Sequence, residues 1–300
     1  MTTITIAQLT DIHLSPLPAF HPRDWNLKRL SGYLNWHRSR RDAYRPDVLA
    51  RIVAHMQASQ PDHIAVTGDL VNIALPEEMQ RAARWLATLG PAEKVSVIPG
   101  NHDIYCEIGS APGIGLWAAC MTNVPALADT AAPFPFVRRI GPVALIGVNS
   151  ALPRPPFVAS GEVGDAQRGR LARLLDRLGS EGAIRVVMIH HPPLPGQAPP
   201  SRGLDDAGEL AALLRRHGAE LVIHGHNHRR MLASIEGPRG SIPLVGAPSA
   251  SLGVRHGSET LARYYSYRIT PAARGAAIEL IAHGLAEPGG EVVELERRVL

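Results

Sequence analysis

The chain is short of cysteine, of lysine and of long apolar runs, and each shortage limits what the protein can be. Its two cysteines, Cys106 and Cys120, cannot form a disulfide framework and fit a reducing compartment. No apolar run approaches the roughly 20 residues that a membrane-spanning helix needs. No basic segment precedes an apolar stretch at the N-terminus, so we expect no signal peptide and a cytoplasmic protein.

Arginine supplies nearly all of the positive charge, because Lys28 and Lys94 are the only lysines among 31 cationic residues. The formal net charge of +4 does not by itself indicate a nucleic-acid partner. No long basic surface is evident beyond residues 20–45, so nucleic acid is not expected as a partner. Arginine does suit phosphate, since its planar guanidinium can donate two hydrogen bonds to one anion.

Short apolar runs alternate with helical patterns along most of the chain. The runs are rich in valine and isoleucine, as in strands buried on both faces, and span residues 4–9, 63–67, 94–98, 143–148, 184–189 and 221–223. Helices are predicted after Pro46, over 77–89 and 167–178, and over 207–217 with Asp205 as its cap. This alternation indicates layers of helices and sheet. With no internal repeat and no low-complexity linker, we expect a single domain over residues 1–300.

The C-terminal part has a different pattern, with predicted strands and no helices between them. These strands span residues 242–245, 263–269, 277–281 and 292–297. We therefore expect an antiparallel β-meander over residues 242–298, which forms a second sheet packed face to face on the first.

Five polar runs follow predicted strands or end them. They read Asp11-Ile12-His13, Gly68-Asp69, Gly100-Asn101-His102-Asp103, His190-His191-Pro192 and Gly225-His226-Asn227-His228. Ligands bind at the carboxyl ends of strands in open α/β sheets, and carboxylate, amide and imidazole groups are ligands for divalent metals. Alternation along an extended chain would place Asp11 and His13 on one face, and likewise His226 and His228. The runs predict a dinuclear metal site that hydrolyses phosphate esters.

In order and composition the five runs resemble the D-x-H, G-D, G-N-H-D/E, H and G-H-x-H pattern of the calcineurin-like metallophosphoesterase superfamily. The resemblance spans residues 4–229. It implies a fold that contains both helices and sheets, classed as α/β (α+β). This fold is a four-layer αββα sandwich of two mixed β-sheets flanked by helices. It also implies two metal sites bridged by Asp69: one of Asp11, His13, Asp69 and His228, the other of Asp69, Asn101, His190 and His226. His190 is preferred to His191 because the ligand lies two residues before proline in relatives with an H-x-P pattern.

The same resemblance makes His102 the catalytic histidine. It implies attack on phosphorus by a hydroxide that bridges two divalent ions, with no covalent intermediate on the protein. His102 would stabilise the charge that develops on the phosphoryl oxygens and would protonate the leaving group. Manganese, iron and zinc all suit such mixed nitrogen and oxygen sites, so the identity of the two ions stays open.

Two positions separate the chain from other branches of the superfamily. Asn72 stands where purple acid phosphatases have a tyrosine ligand, and Asp103 stands where protein Ser/Thr phosphatases have glutamate. The chain instead resembles the class III cyclic nucleotide and glycerophosphodiester phosphodiesterases, which implies a small-molecule phosphodiester substrate. Asn72 and His191 are then either substrate contacts or internally hydrogen-bonded side chains.

Residues 20–45 do not fit the compact members of that group. Leu27, Leu30 and Leu34 recur at helical spacing among basic residues. One interpretation is a cap that packs over the cleft, with its arginines in solvent. The other is recognition of an anionic substrate or a membrane surface, since amphipathic helices bind membrane interfaces.

The insert motivates an alternative function, namely hydrolysis of phospholipids or of a lipid A precursor of the UDP-diacylglucosamine type. A non-catalytic scaffold with this fold is a remote alternative, because scaffolds lose ligands and here every ligand position is filled. The sequence does not fix the oligomeric state, and a homo-oligomer stays open.

Overall fold

A computed structural model describes residues 2–107, 113–122, 133–273 and 275–300, and within them the chain forms two β-sheets and five α-helices. The first-half strands are β1 (Ile4–Leu9), β2 (His63–Val66), β3 (Val95–Val97), β4 (Phe136–Ile140) and β5 (Val143–Gly147). The others are β6 (Ile184–Met188), β7 (Leu221–His224), β8 (Met231–Gly237), β9 (Gly240–Gly246), β10 (Arg263–Pro271), β11 (Ala276–Leu285) and β12 (Val292–Val299). The helices are α1 (Leu27–Asn35), α2 (Pro46–Ala58), α3 (Pro76–Leu89), α4 (Asp165–Ser180) and α5 (Ala207–His217). None of these helices is long and apolar enough to cross a bilayer.

Each sheet has six strands and is mixed. The first has the order β12-β11-β10-β1-β2-β3, with β1 to β3 parallel and β10 to β12 antiparallel. The second has the order β4-β5-β6-β7-β9-β8, with four parallel strands between two antiparallel edges. Parallel strands need crossover connections, and α2, α3, α4 and α5 provide them.

The helices lie on the outer faces of the two sheets. One core cluster joins the apolar faces of α2 and α3 to the first sheet and continues between the sheets to β6 and β7. A second cluster packs α4 and α5 on the other face of the second sheet. The predicted four-layer sandwich of two mixed sheets is therefore confirmed.

The prediction for the C-terminal part was wrong about where its strands attach. Strand β9 lies in the second sheet, parallel to β7, and so is not part of the meander. Strands β10 to β12 are an antiparallel meander, but β10 pairs with β1 and extends the first sheet. Periodicity identifies strands but does not say which free sheet edge they pair with. Pairing with β10 covers the edge of β1, which would otherwise be exposed.

The predicted cap of α5 was also wrong. Asp206 immediately precedes the helix, and Asp205 instead forms an ion pair with Arg154. The carboxylate of Asp206 accepts hydrogen bonds from the backbone N–H groups of Val163 and Gly164. Of the two adjacent acids, the buried one, Asp206, thus joins two loops. Sequence patterns at helix starts do not reveal such a long-range role.

The insert, residues 20–45, is helical, but its apolar side faces outward. Leu27 is 81% exposed, and Leu30 and Leu34 are also exposed on the same side of α1. Arg29 points inward and donates to backbone carbonyls of residues 73 and 74. The helix then widens into a π-helical turn, Trp36–Arg40, in which the N–H of Arg41 donates to the carbonyl of Trp36. The insert is therefore attached through Arg29 and the buried Trp36, while Arg23, Arg38 and Arg41 are exposed. Arginines in solvent agree with the cap interpretation, and the outward leucines of α1 do not belong to a packed cap.

Candidate metal centre

The five polar runs meet where the carboxyl ends of β1, β2 and β3 face those of β6 and β7; this edge is called the seam. Strand sequences rich in valine and isoleucine bury both faces of these strands, so most of the polar side chains are placed beyond their ends. Gln8 joins the two sheets beneath the seam, since its amide donates to Thr67 Oγ1 and to the carbonyl of His224. The seam thus brings together residues far apart in the sequence.

One group of ligand atoms lies within 4.8 Å of one another and consists of Asp11, His13, Asp69 and His228. His228 Nε2 is 3.1 Å from Asp11 Oδ1 and 3.3 Å from His13 Nε2. All four residues are buried. The group is the predicted first site.

A second group shares Asp69 and adds His190 and His226. Asn101 Oδ1 lies 2.9 Å from His226 Nδ1 and 3.3 Å from His190 Nε2, so the amide belongs to the same group. His190 Nε2 is 3.4 Å from Asp69 Oδ2. The structure therefore brings all seven predicted ligands into two adjacent groups that share Asp69.

The donor atoms fit a cation. In three of the histidines the far ring nitrogen donates to a backbone carbonyl: His13 to Val71, His190 to Thr67 and His226 to Arg202. In the neutral form of each ring, the nitrogen that faces the group then carries a lone pair and no proton. Two such nitrogens, His190 Nε2 and His226 Nδ1, are 3.2 Å apart beside the Asn101 oxygen. Several acceptors at this spacing repel one another unless a cation lies between them.

Charge and burial act on these imidazoles in opposite directions. Burial lowers the pKa of His13 and of His226 well below the ordinary value, which keeps both rings neutral. Burial also opposes protonation of His190 and His228, but the carboxylates of Asp69 and Asp11 respectively outweigh it and raise each pKa to about 9. The carboxylates thus attract positive charge to both groups, which is the charge that two metal ions supply.

The outward nitrogen of His228 is held by two residues that the sequence analysis missed. Tyr44 Oη lies 2.9 Å and Glu259 Oε1 3.3 Å from His228 Nδ1. A carboxylate that accepts from the second nitrogen of a ligating histidine fixes the ring and raises its basicity. Tyr44 and Glu259 follow no strand and carry no motif, so only the folded chain reveals them.

Asp103 holds the loops that carry the ligands. Its carboxylate accepts four backbone N–H groups, those of Asp69, Leu70, Val71 and Gly100, at 2.7 to 3.2 Å. Burial and the nearby Asp69 carboxylate raise its pKa, and these hydrogen bonds oppose that rise. Asp103 is therefore a loop anchor common to the second and third polar runs.

The ligands converge through strained backbone and not through strand alternation. Five of the seven have positive φ angles: Asp11, His13, Asp69, His226 and His228. The expectation that i and i+2 residues share a face of an extended strand was therefore wrong: Asp11 and His13 meet in the first group, but His226 and His228 belong to different groups. Left-handed non-glycine residues cost about 1–3 kcal/mol each and are found mainly at functional sites. A side chain at Gly100 would collide with the Asp69 carboxylate, so glycine serves close approach there.

His102 lies directly against the first group, with its ring centroid 4.9 Å from that of His13. Its Nδ1 donates to the carbonyl of Asn72, and its Nε2 accepts from the Arg40 guanidinium at 3.1 Å. Burial lowers the pKa of His102 to about 4. The ring is therefore neutral, and protonation of a leaving group requires Nε2 to gain a proton first.

The two candidate substrate contacts lie inside the protein. His191 uses both ring nitrogens, toward Ser150 Oγ at 2.8 Å and the carbonyl of Ala159 at 3.0 Å. Asn72 is 2% exposed, and its amide nitrogen donates to the carbonyl of Leu14. His191 is therefore internally hydrogen-bonded, whereas Asn72 is so only through its amide nitrogen, since its buried Oδ1 has no hydrogen-bond partner among the described residues.

The sequence is similar to those of known proteins. A family model described as calcineurin-like phosphoesterase matches residues 4–230. A probable cyclic nucleotide phosphodiesterase from a Synechococcus strain is 27% identical over 255 residues, which cover 83% of this chain and 82% of that protein. A second protein of that description, from another Synechococcus strain, is 29% identical over 139 residues, or 45% and 44% of the two chains.

Solved structures agree in fold. A dimetal phosphatase from Danio rerio superposes with a TM-score of 0.56 at 11% identity, over 97% of this chain and 98% of that one. A purple acid phosphatase from yellow lupin seeds superposes with a TM-score of 0.60 at 12% identity, over 98% of this chain and 53% of that one. Because the family model spans most of the chain, the protein belongs to the calcineurin-like phosphoesterase family and is a hydrolase of phosphate esters.

Proposed function

We propose that the protein is a dinuclear metal-dependent phosphodiesterase that acts on small diesters, with cyclic nucleotides and glycerophosphodiesters as the substrate classes. The observation that carries the proposal is the pair of buried acceptor groups that share Asp69. The description of the Synechococcus relatives as probable cyclic nucleotide phosphodiesterases supports the choice of diesters.

The chain's own residues have distinct parts in this proposal. Asp11, Asp69 and Asn101 supply oxygen ligands and the four histidines supply nitrogen, a set suited to manganese, iron or zinc. Two such cations would activate water and neutralise charge on a phosphate ester. His102 is the candidate catalytic residue, because its ring lies against that of His13 in the first ligand group and its Nε2 is held only by Arg40 among the described residues. Burial of the ligands excludes bulk water, which strengthens every one of these interactions.

A substrate panel with the metal-reconstituted protein tests the proposal. Manganese, iron and zinc forms are assayed on bis-(p-nitrophenyl) phosphate, p-nitrophenyl phosphate, cyclic AMP, glycerophosphodiesters and UDP-diacylglucosamine. We expect diester turnover and two metal ions per chain by elemental analysis. Turnover of monoesters alone would overturn the diester assignment.

Asp69→Ala tests the shared ligand. It should remove metal and activity together, because both groups lose the same carboxylate. Asp47→Ala is the matched control, since Asp47 is an exposed acid paired with Arg45. Activity near the wild-type level in Asp69→Ala would contradict the bridging assignment.

The exposed side of α1 favours a second candidate function, hydrolysis of a phosphodiester at a lipid surface. Leu27, Leu30 and Leu34 form an outward apolar stripe, and Trp25 beside it is 58% exposed. Exposed basic residues continue the helix, among them Arg38. Apolar and cationic residues on one helix suit an anionic membrane interface.

Vesicle sedimentation separates this candidate from the first. Phosphatidylcholine vesicles with and without phosphatidylglycerol are mixed with wild type at low salt. The double variant Leu27→Ser and Leu30→Ser should lose binding, whereas Val299→Ser, which removes an apolar side chain that is 74% exposed elsewhere, should not. Absence of wild-type binding to the anionic vesicles would eliminate the lipid-surface function.

A further inference from the structure

Arg40 extends from the π-helical turn of the insert into the metal centre. One guanidinium nitrogen donates to His102 Nε2 at 3.1 Å, and the guanidinium carbon lies 5.5 Å from the centroid of the Tyr44 ring. The carbonyl of Arg40 accepts from the N–H groups of residues 43 and 44, which fixes the backbone that carries the side chain. The fold of the insert therefore sets the position of the Arg40 side chain. Single π-helical turns are frequent at functional sites.

The contacts of Arg40 leave most of its hydrogen-bonding capacity unused. A guanidinium has five N–H donors, and among the described residues one of them has an acceptor, the His102 nitrogen. The described chain gives Arg40 no carboxylate within ion-pair distance, in contrast to Arg45, which pairs with Asp47 at 3.0 Å. Arg40 is only partly exposed, so water does not fully replace a counterion. Glu259 interacts with Arg40 only from beyond ion-pair distance, and a fixed cation with no carboxylate in contact can bind a further anion.

The surroundings of Arg40 make the missing anion a phosphate. The guanidinium touches His102, and the ring of His102 lies 4.9 Å from the ring of His13 in the first ligand group. A single imidazole, that of His102, thus lies between Arg40 and the first ligand group. An anion that contacts both the guanidinium and a cation in that group must be compact and must present several oxygens, as a phosphoryl group does.

We propose that Arg40 forms an anion subsite at the edge of the metal centre, which binds a phosphoryl oxygen of the substrate and of its phosphate product. The inference rests on the proposed function for the identity of the substrate. On arrival of the ester the guanidinium exchanges its bond to His102 for bonds to phosphate, which frees Nε2 to face the reacting group. The insert then contributes directly to substrate binding, and the subsite favours esters with an accessible anionic oxygen over neutral ones.

Binding of inorganic phosphate measures the subsite without turnover. Titration calorimetry is done on manganese-loaded wild type, Arg40→Gln, Arg40→Lys and the control Arg38→Gln, which removes an exposed arginine of the same insert. Loss of a charged hydrogen-bond donor should weaken phosphate binding about 10- to 100-fold in Arg40→Gln. Arg40→Lys keeps the charge without the planar fork, so its phosphate affinity should fall about 3- to 10-fold. The phosphate affinity of Arg38→Gln should stay within about twofold of wild type.

A double variant separates direct binding from an effect through His102. In a His102→Ala background, Arg40→Gln should still weaken phosphate binding, because the guanidinium contacts the anion itself. Disappearance of the effect in that background would show that Arg40 only positions His102 and would overturn the subsite. Equal phosphate affinity in wild type, Arg40→Gln and Arg40→Lys would overturn it as well. Failure of wild type to hydrolyse diesters would contradict the proposed function and leave the phosphate measurement valid.

Discussion

Replacing Asp103 with asparagine should destabilise the protein and loosen its metal sites together. Asp103 Oδ2 accepts the N–H groups of Asp69 and Gly100, and Oδ1 accepts those of Leu70 and Val71. Asparagine keeps one acceptor oxygen and turns an amide N–H₂ group toward the other pair. Two buried N–H groups then lose their partner, whichever way the amide is oriented.

The magnitude follows from those two groups. A buried donor without a partner costs about 1–3 kcal/mol, and loss of the buried charge offsets part of that cost, so the net loss is about 3 kcal/mol. Unfolding entropy scales to about 0.6 kcal/mol/K for a chain of 300 residues, so the melting temperature should fall by about 5 °C. Displacement of the Asp69 loop should also weaken metal binding about 10- to 100-fold, the usual effect of removing outer partners of metal ligands.

Calorimetry of the metal-free protein and metal titration check the two effects separately. Asp62→Asn is the matched control, because Asp62 accepts one backbone N–H, that of Thr5, at an exposed position. Its melting temperature should change by less than about 1 °C. A wild-type melting temperature and metal affinity in Asp103→Asn would refute the role of Asp103 as a loop anchor.

Three further substitutions test separate parts of the site. Gly100→Ala should abolish metal binding with the circular dichroism spectrum retained, because its methyl group would collide with the Asp69 carboxylate; normal metal content would contradict this. Tyr44→Phe should weaken metal binding about tenfold, measured by competition with a chelator, since His228 loses a hydrogen-bond partner. Burial lowers the pKa of Lys28 to about 8 from 10.5, so the unfolded chain binds more protons between these pH values. In denaturant titrations, the free energy of unfolding of wild type should therefore rise relative to that of Lys28→Met as pH rises from 8 to 10.5. A difference between the two unfolding free energies that does not change with pH would exclude the lowered pKa of Lys28.

The parts of the site that could be predicted are those next to strand ends. Asp69 and His190 each follow a short run of valine and isoleucine, and such runs are buried wherever the strand lies in its sheet. The carboxyl ends of parallel strands lie at one edge, so the ligands could be grouped before the sheet order was known. The identity of the metal ions, the cytoplasmic location and the oligomeric state stay predictions.

The parts that could not be predicted depend on how distant segments pack. Arg40 reaches His102 across 62 positions, and Glu259 reaches Tyr44 across 215. Pairing of β10 with β1 is likewise a choice between free sheet edges, and the periodicity of β10 is the same for either choice. The spacing of the leucines in α1 predicted a helix, and the structure has one there. Spacing alone does not tell which side of a helix packs against the rest of the protein.

The seam gives each metal position ligands from both sheets. Asp69 comes from the first sheet and serves both positions, whereas His226 and His228 come from the second and serve one position each. Bound cations would therefore act as removable cross-links between two layers that are otherwise joined mainly by apolar side chains and by the hydrogen bond of Gln8. Neither half of the chain holds a complete ligand set, so the metal affinity measures how well the two sheets fit together. Substitutions in the core between the sheets, far from any ligand, should then change metal affinity before they change secondary structure.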